Sequence, residues 1–309
     1  MNKRVLFMGT PDFAVSLLHA LLESDVEVVA VVSQPDKPIG RKQMMTPTPV
    51  NRCALEQGIP VYQPLKIKEL TQFIVELKLD LIVTCAYGQF IPSTILETPR
   101  FKAVNVHASL LPKYRGGAPI HKALINGEKE TGVTLMRMVK QMDAGDILAM
   151  QVVPITEDDD VGSLHDKLMV AGSQLLKAQL PNLFNQELPS FPQDESLVSY
   201  AYNITPAEEF ISFNRDVKQV YNHIRGLSPW PIGYGLINGK KLKLIKAFKM
   251  IEEHPYLGGE FVSYENGLKI ACNGGFVVIT QCQFEGKEKM DAGAFYNGLG
   301  KSLLHGIFA

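Results

Sequence analysis

Residues 4–32 decide the fold: Arg4-Val5-Leu6-Phe7-Met8-Gly9-Thr10-Pro11-Asp12-Phe13-Ala14-Val15-Ser16-Leu17-Leu18-His19-Ala20-Leu21-Leu22, then, after a short polar break, Val26-Glu27-Val28-Val29-Ala30-Val31-Val32. Arg4–Met8 is a short apolar run ended by glycine and predicts a buried strand. Phe13, Leu17, Leu18, Leu21 and Leu22 then recur at helical spacing. Val26–Val32 is rich in β-branched residues and predicts a second strand. A strand, a helix and a strand in succession imply parallel pairing, because parallel neighbours need a long crossover. The same grammar continues with a helix over Ile67–Leu77, strands at Leu81–Thr84, Ala103–His107, Val133–Val139 and Ile147–Val153, and a helix carrying Leu164, Leu168, Ala171, Leu175 and Leu176. Such alternation predicts an α/β domain of Rossmann-like type, a parallel sheet covered on both faces.

Beyond residue 186 the pattern stops. Pro189, Ser190, Pro192 and Ser196 suggest a linker over 189–206, which separates a domain at 1–188 from one at 207–309. The second domain begins with a helix carrying Val217, Val220, Tyr221 and Ile224 on one face. Short strands follow, punctuated by Asn238-Gly239, Asn266-Gly267 and Asn273-Gly274, the dipeptides of tight hairpins. This predicts a small antiparallel β-barrel, OB-like in kind. With 309 residues, two domains of ordinary size are expected.

Composition excludes several classes of function. Apolar residues make up 46% and charged residues 20%, a globular balance rather than a disordered one. Lys plus Arg (31) nearly cancels Asp plus Glu (32), which argues against a globally basic nucleic-acid coat. Residues 206–309 hold 12 basic and 10 acidic groups, a net of +2, and the remainder then holds 19 and 22, a net of −3. Lys240–Lys249 contains five lysines and no acid. Lys241 and Lys243 alternate there with Leu242 and Leu244, as on the wet face of a strand, and such a row is also free to meet a phosphate backbone. Cys53, Cys85, Cys272 and Cys282 show no metal-ligand or disulfide spacing, so reduced thiols in the cytoplasm and no bound metal are expected. No stretch is long and apolar enough for a signal peptide or a membrane span.

The first strand-to-helix turn, Gly9-Thr10-Pro11-Asp12, sits where a dinucleotide-binding fold carries three glycines. Two of them are missing and Pro11 crowds the turn, which disfavours close approach of a pyrophosphate. The richest polar segment is Asn105-Val106-His107-Ala108-Ser109-Leu110-Leu111-Pro112-Lys113-Tyr114-Arg115-Gly116-Gly117. Strand alternation places Asn105 and His107 on one face at the carboxyl end of a strand, where open α/β sheets bind ligands. A carboxamide and an imidazole there can hold a carbonyl that becomes an oxyanion. Downstream, Asp143-Ala144-Gly145-Asp146 can supply a carboxylate that fixes the imidazole tautomer and orders a water. Neither cluster alone identifies a chemistry.

Together with Gly9-Thr10-Pro11-Asp12-Phe13, Arg115-Gly116-Gly117-Ala118-Pro119-Ile120 and Pro229-Trp230-Pro231, these segments resemble the methionyl-tRNA formyltransferases, within the superfamily that uses 10-formyltetrahydrofolate. The resemblance covers essentially the whole chain. It implies an enzyme that transfers the formyl group of that co-substrate to the amine of initiator methionyl-tRNA. It further implies Asn105, His107 and Asp143 as the catalytic trio, and Ser109, Leu110, Leu111 and Pro112 as the folate-binding segment. The long polar insertion Gln34–Pro47 resembles the tRNA-specific insertion of the family, with Arg41 and Lys42 as tRNA contacts, and is expected to be a mobile loop. Lys240, Lys241 and Lys243 resemble the lysines of its tRNA-binding domain. Phe213 stands where the family often has Trp, and Trp230 is expected to serve packing rather than base stacking. A monomer is expected. Two other readings are a formyltransferase for an amino-sugar nucleotide and a non-catalytic RNA-binding relative.

Overall fold

The structure is a computed structural model that describes residues 3–40 and 43–309. It separates into two compact units, and neither is contiguous in sequence. The first comprises Met1–Pro119, Thr131–Pro154 and His165–Ala201, the second Ile120–Glu130, Ile155–Leu164 and Tyr202–Ala309.

The first unit carries β1 (Lys3–Gly9), β2 (Val26–Val32), β3 (Lys37–Ile39), β4 (Met44–Thr46), β5 (Val61–Tyr62), β6 (Leu81–Cys85), β7 (Ala103–His107), β8 (Glu130–Arg137) and β9 (Ile147–Pro154). Its helices are α1 (Asp12–Leu22), α2 (Pro49–Glu56), α3 (Thr71–Glu76) and α4 (Ser93–Leu96); α5 (Pro119–Ile125) and α6 (Val161–Asn185) run from one unit into the other. Seven strands form one sheet in the order β5-β2-β1-β6-β7-β8-β9. The chain winds from β1 through β2 to β5, then restarts at β6 on the other side of β1. That reversal leaves a crevice at the carboxyl ends of β1 and β6, the position where such sheets bind ligands. Pairing is parallel from β5 to β7. β8 departs from the expected all-parallel sheet and runs antiparallel to β7. An antiparallel strand added outside a parallel core is common in large sheets, since it needs no right-handed crossover.

Alternation along the strands divides the core. Leu6, Met8, Val32 and Ile82 form one buried cluster with Ile74 and Ile95 from α3 and α4. On the opposite face Gly172 of α6 packs against Val106, Leu17 and Phe13. The helix expected over Ile67–Leu77 is a 3-10 turn at Ile67–Leu70 followed by α3. The insertion after β2, expected to be a loop, contains the hairpin β3–β4, with Lys37 opposite Thr46.

The second unit holds α7 (Val217–Arg225), β10 (Tyr234–Ile237), β11 (Lys240–Ile251), β12 (Phe261–Tyr264), β13 (Leu268–Cys272), β14 (Gly275–Phe284), β15 (Met290–Asp291) and α8 (Ala292–Gly298). Its sheet follows β10-β11-β14-β13-β12, antiparallel throughout, with β15 beside β14. Asn238 and Gly239 both have positive φ (50° and 73°), as the two-residue turn between β10 and β11 demands. The last residues join the two ends of the sheet. Ala309 exchanges backbone bonds with Leu236, and Phe308 donates to the carbonyl of Gly259. Inside lie Val220, Ile224, Leu242, Leu244, Ile270, Val277 and Ile279, with Phe213 fully buried and packed on Phe308. Trp230, expected to pack in a core or at an interface, is 45% exposed.

Candidate active site

Asn105 and His107 project from the carboxyl end of β7, and Thr84 lies directly across from Asn105 on β6. The buried Thr84 hydroxyl donates to Asn105 Oδ1 at 2.8 Å. That bond makes the oxygen the acceptor end of the amide and leaves its nitrogen as the donor end. His107 is only 7% exposed. Its Nε2 lies 2.9 Å from the carbonyl oxygen of Tyr114. A carbonyl can only accept, so Nε2 carries a hydrogen and donates to it. The ring nitrogen left to face the acid is Nδ1, 3.7 Å from Asp143 Oδ2. That separation is too long for a direct hydrogen bond and suits a contact closed by water or by the substrate.

Asp143 is fixed from its other side. Its Oδ2 accepts the backbone N–H of Gly116 at 2.9 Å, and its backbone has φ 48°, in the left-handed region that Asp tolerates better than most residues. Gly145 must be glycine, because a Cβ there would run into the carbonyl oxygen of Arg137. The trio is thus drawn together from β7, the Gly116–Gly117 turn and the β8–β9 loop.

Further residues support it. Arg115 is fully buried and donates through Nε and Nη2 to Gln193 Oε1 at 3.0 and 2.8 Å, and it also pairs with Glu195 at 2.8 Å. The Gln193 amide donates in turn to the carbonyls of Asp143 (2.8 Å) and Gly145 (2.7 Å). The Ser199 hydroxyl accepts from the N–H of Tyr114, and its carbonyl accepts from that of Arg115. Gln193, Glu195 and Ser199 belong to the segment expected to be a linker, so residues 189–201 strap the site instead of hanging free. Pro189, Pro192 and the serines carried no periodicity that could have signalled this. Arg115, by contrast, stood in the quoted segment, but its burial was not legible there.

The segment expected to bind folate is mostly turned inward. Ser109 is fully buried and donates to the carbonyl of Lys113 at 2.7 Å, while Leu111 is 2% exposed and its N–H donates to Thr134. Leu110 and Pro112, at a cis Leu111–Pro112 bond, are half-buried. A cleft of about 430 Å³ is lined by Phe90, Ile91, Pro92, Ser93 and Lys140 from the segments after β6 and β8, and by none of Ser109, Leu110, Leu111 and Pro112. Arg41 and Lys42 lie outside the described residues. In the second unit, Lys241 and Lys243 share one face of β11, with the Lys241 ammonium 4.1 Å from the Tyr234 ring centroid. Lys240 is in phase with the core residue Leu242 and reaches over Phe284 at the rim, so the three lysines are not one row. The alternation ends at a bulge, where Leu244 and Ile245 are both buried. Among the described residues no group of three or more His, Cys, Asp or Glu side chains is placed to hold a metal.

Residues 2–180 match the formyl transferase family and residues 203–300 match the formyl transferase C-terminal domain. The methionyl-tRNA formyltransferase of Macrococcus caseolyticus is 48% identical over 307 residues, which is 98% of either chain. That of Staphylococcus epidermidis is 46% identical over 304 residues, covering 97% of this chain and 98% of its own. The chain belongs to the methionyl-tRNA formyltransferase family. This formyltransferase also shares its fold with the N-formyltransferase of Helicobacter canadensis solved with folinic acid and dTDP-3-aminofucose. The TM-score is 0.69 at 23% identity, over 90% of this chain and 99% of that one.

Proposed function

We propose that this enzyme moves the formyl group of 10-formyltetrahydrofolate onto the free amine of initiator methionyl-tRNA, with Asn105, His107 and Asp143 as the reacting groups. The amine attacks the formyl carbon, a new N–C bond forms, and the carbonyl oxygen becomes an oxyanion. Asn105 Nδ2 and the imidazole donate hydrogen bonds to that oxygen. The intermediate collapses by breaking the bond to the folate nitrogen. His107 makes its bond through Nδ1, and a water held by Asp143 relays the proton lost by the amine to that nitrogen. The observation that carries this reading is the carboxamide and imidazole on one strand at the sheet's carboxyl edge, each oriented by a protein partner, with a carboxylate 3.7 Å from the ring. Preoriented donors of this kind are worth roughly 3–4 kcal/mol each to an acyl-transfer barrier. The cleft at Phe90 and Lys140, apolar with one ammonium, suits a flat heteroaromatic ring system with an acidic tail.

Identity of 45–48% along the full length to proteins that act on methionyl-tRNA supports tRNA as acceptor over the amino sugar of the distant structural relative. Residues 207–309 then serve to bind tRNA, through Lys241 and Lys243 and, at the rim, Lys240. The insertion bearing Arg41 and Lys42 meets the acceptor end. The enzyme works in the cytoplasm as a single chain. Incubation with 10-formyltetrahydrofolate and either charged initiator tRNA or a dTDP-amino sugar tests the assignment. Formyl-methionine on the tRNA is expected, and formylation of the sugar alone would overturn it.

A further inference from the structure

The hairpin β3–β4 leaves the sheet after β2 and returns at α2, and one carboxylate holds both of its roots. Asp36 Oδ1 accepts the backbone N–H of Thr48 at 3.2 Å, so the residue before the hairpin is tied to the residue that caps α2. Asp36 also accepts from Asn51 Nδ2 (3.1 Å to Oδ1, 3.3 Å to Oδ2) and from Gln63 Nε2 (2.7 Å). These partners are themselves bound. Asn51 donates to Gln63 Oε1 at 3.2 Å, and Gln63 Nε2 donates to the Gln34 carbonyl at 2.8 Å. Gln34 Nε2 donates to the carbonyl of Tyr87, which also accepts from the Thr10 hydroxyl. Thr48 shares a 2.6 Å hydroxyl contact with Ser33. The network therefore runs from the hairpin's roots to the segments that follow β1 and β6, at the sheet edge where Asn105 and His107 stand. Every donor to Asp36 is a neutral amide. Burial opposes ionisation of this carboxyl, yet the bonds from Gln63, Asn51 and Thr48 outweigh it and hold the group below its usual range. Beyond the roots, Met44 and Met45 are 64% and 65% exposed.

We propose that Asp36 is a positioning residue for formyl transfer, which clamps both roots of the Lys37–Thr46 hairpin so that this arm meets the incoming methionyl-tRNA end in one fixed attitude. This rests on the reading of the chain as formylating methionyl-tRNA. Asp36 touches no reacting atom. It acts by denying the arm the alternative directions that a hinge at residues 36 and 48 would allow, and the loss shows in a large acceptor and not in folate. Asparagine at this position keeps one acceptor oxygen where aspartate has two, and from the Oδ2 position its NH2 group would face the Asn51 amide, a donor that has to turn away.

Asp36→Asn is expected to lower kcat/KM for charged initiator tRNA at least tenfold. The dissociation constant for tetrahydrofolate should stay within twofold of the parent, and proteolytic cleavage between residues 37 and 46 should become faster. Asn51→Leu removes one of the three donors to Asp36 and should reproduce the split at no less than threefold, which serves if Asp36→Asn does not fold. A folded variant of either kind with kcat/KM within threefold of the parent overturns the proposal, as does a parallel loss of folate affinity. If the parent itself fails to formylate methionyl-tRNA, the functional reading has failed rather than the clamp.

Discussion

At position 107 one imidazole spends Nε2 on the Tyr114 carbonyl, so its chemistry falls to Nδ1. Replacing His107 with Ala removes a donor made useful only as negative charge develops, so it should act on kcat and spare ground-state binding. A fall in formyl transfer of about 10²–10³-fold is expected, with folate affinity unchanged. Single-turnover formylation alongside equilibrium folate binding checks this, and turnover within tenfold of the parent would remove His107 from the mechanism. The residues best read from the sequence alone are Asn105 and His107, because alternation along one strand fixes their common face. Asp143 could be named but not placed, since its position depends on a positive φ and on a bond from Gly116. The support from Arg115 through Gln193 was illegible: the two are far apart in sequence, and a polar strap has no periodicity to betray it.

Among the elements, α6 shows how packing and propensity can diverge. Gly172 lies inside this 25-residue helix, where glycine costs about 0.8–1.0 kcal/mol relative to alanine. A methyl there would meet Val106 at 3.4 Å, Leu17 at 3.7 Å and Phe13 at 3.8 Å, which is ordinary contact. Gly172→Ala is therefore expected to stabilise the protein by about 0.5–1 kcal/mol without loss of activity. Denaturant unfolding measures it, and a lower midpoint would show that the helix sits closer to the sheet than described. The opposite case is Gly145, where a Cβ has no room and no flexible neighbour to yield. Strand and helix positions were largely legible because period two and period 3.6 survive in the apolar pattern. The hairpin β3–β4 was not, because Met44 and Met45 are exposed and its roots are held by Asp36, Asn51 and Gln63.

For the whole molecule, the tRNA reading predicts steep salt dependence. Each phosphate contact contributes roughly 0.7–0.9 to the slope of log affinity against log salt. Lys241 and Lys243 share a face of β11, so Lys241→Ala with Lys243→Ala should flatten the slope by up to about 1.8, two contacts' worth. Lys240→Ala should add less, because its ammonium reaches over Phe284 on the other side of the strand. Titrations of tRNA binding over a range of salt concentrations decide this, and an unchanged slope in the double variant would assign the two lysines to solvation alone.

The alternation of the main strands and helices, the change from α/β to antiparallel β, the hairpin turn at Asn238-Gly239 and the common face of Asn105 and His107 were all determined by the sequence itself. Each depends on neighbours within a few residues, where backbone sterics and apolar spacing act directly. Tertiary structure decided the rest: that β8 runs against β7, that residues 120–130 and 155–164 join the second unit, and that the last residues join the two ends of the β sheet. It also decided that Asp143 comes within 3.7 Å of His107 and that Asp36 ties the two roots of the hairpin. These depend on single hydrogen bonds and close approaches between segments distant in the chain, and a polar side chain looks the same in sequence whether it meets water or a buried amide.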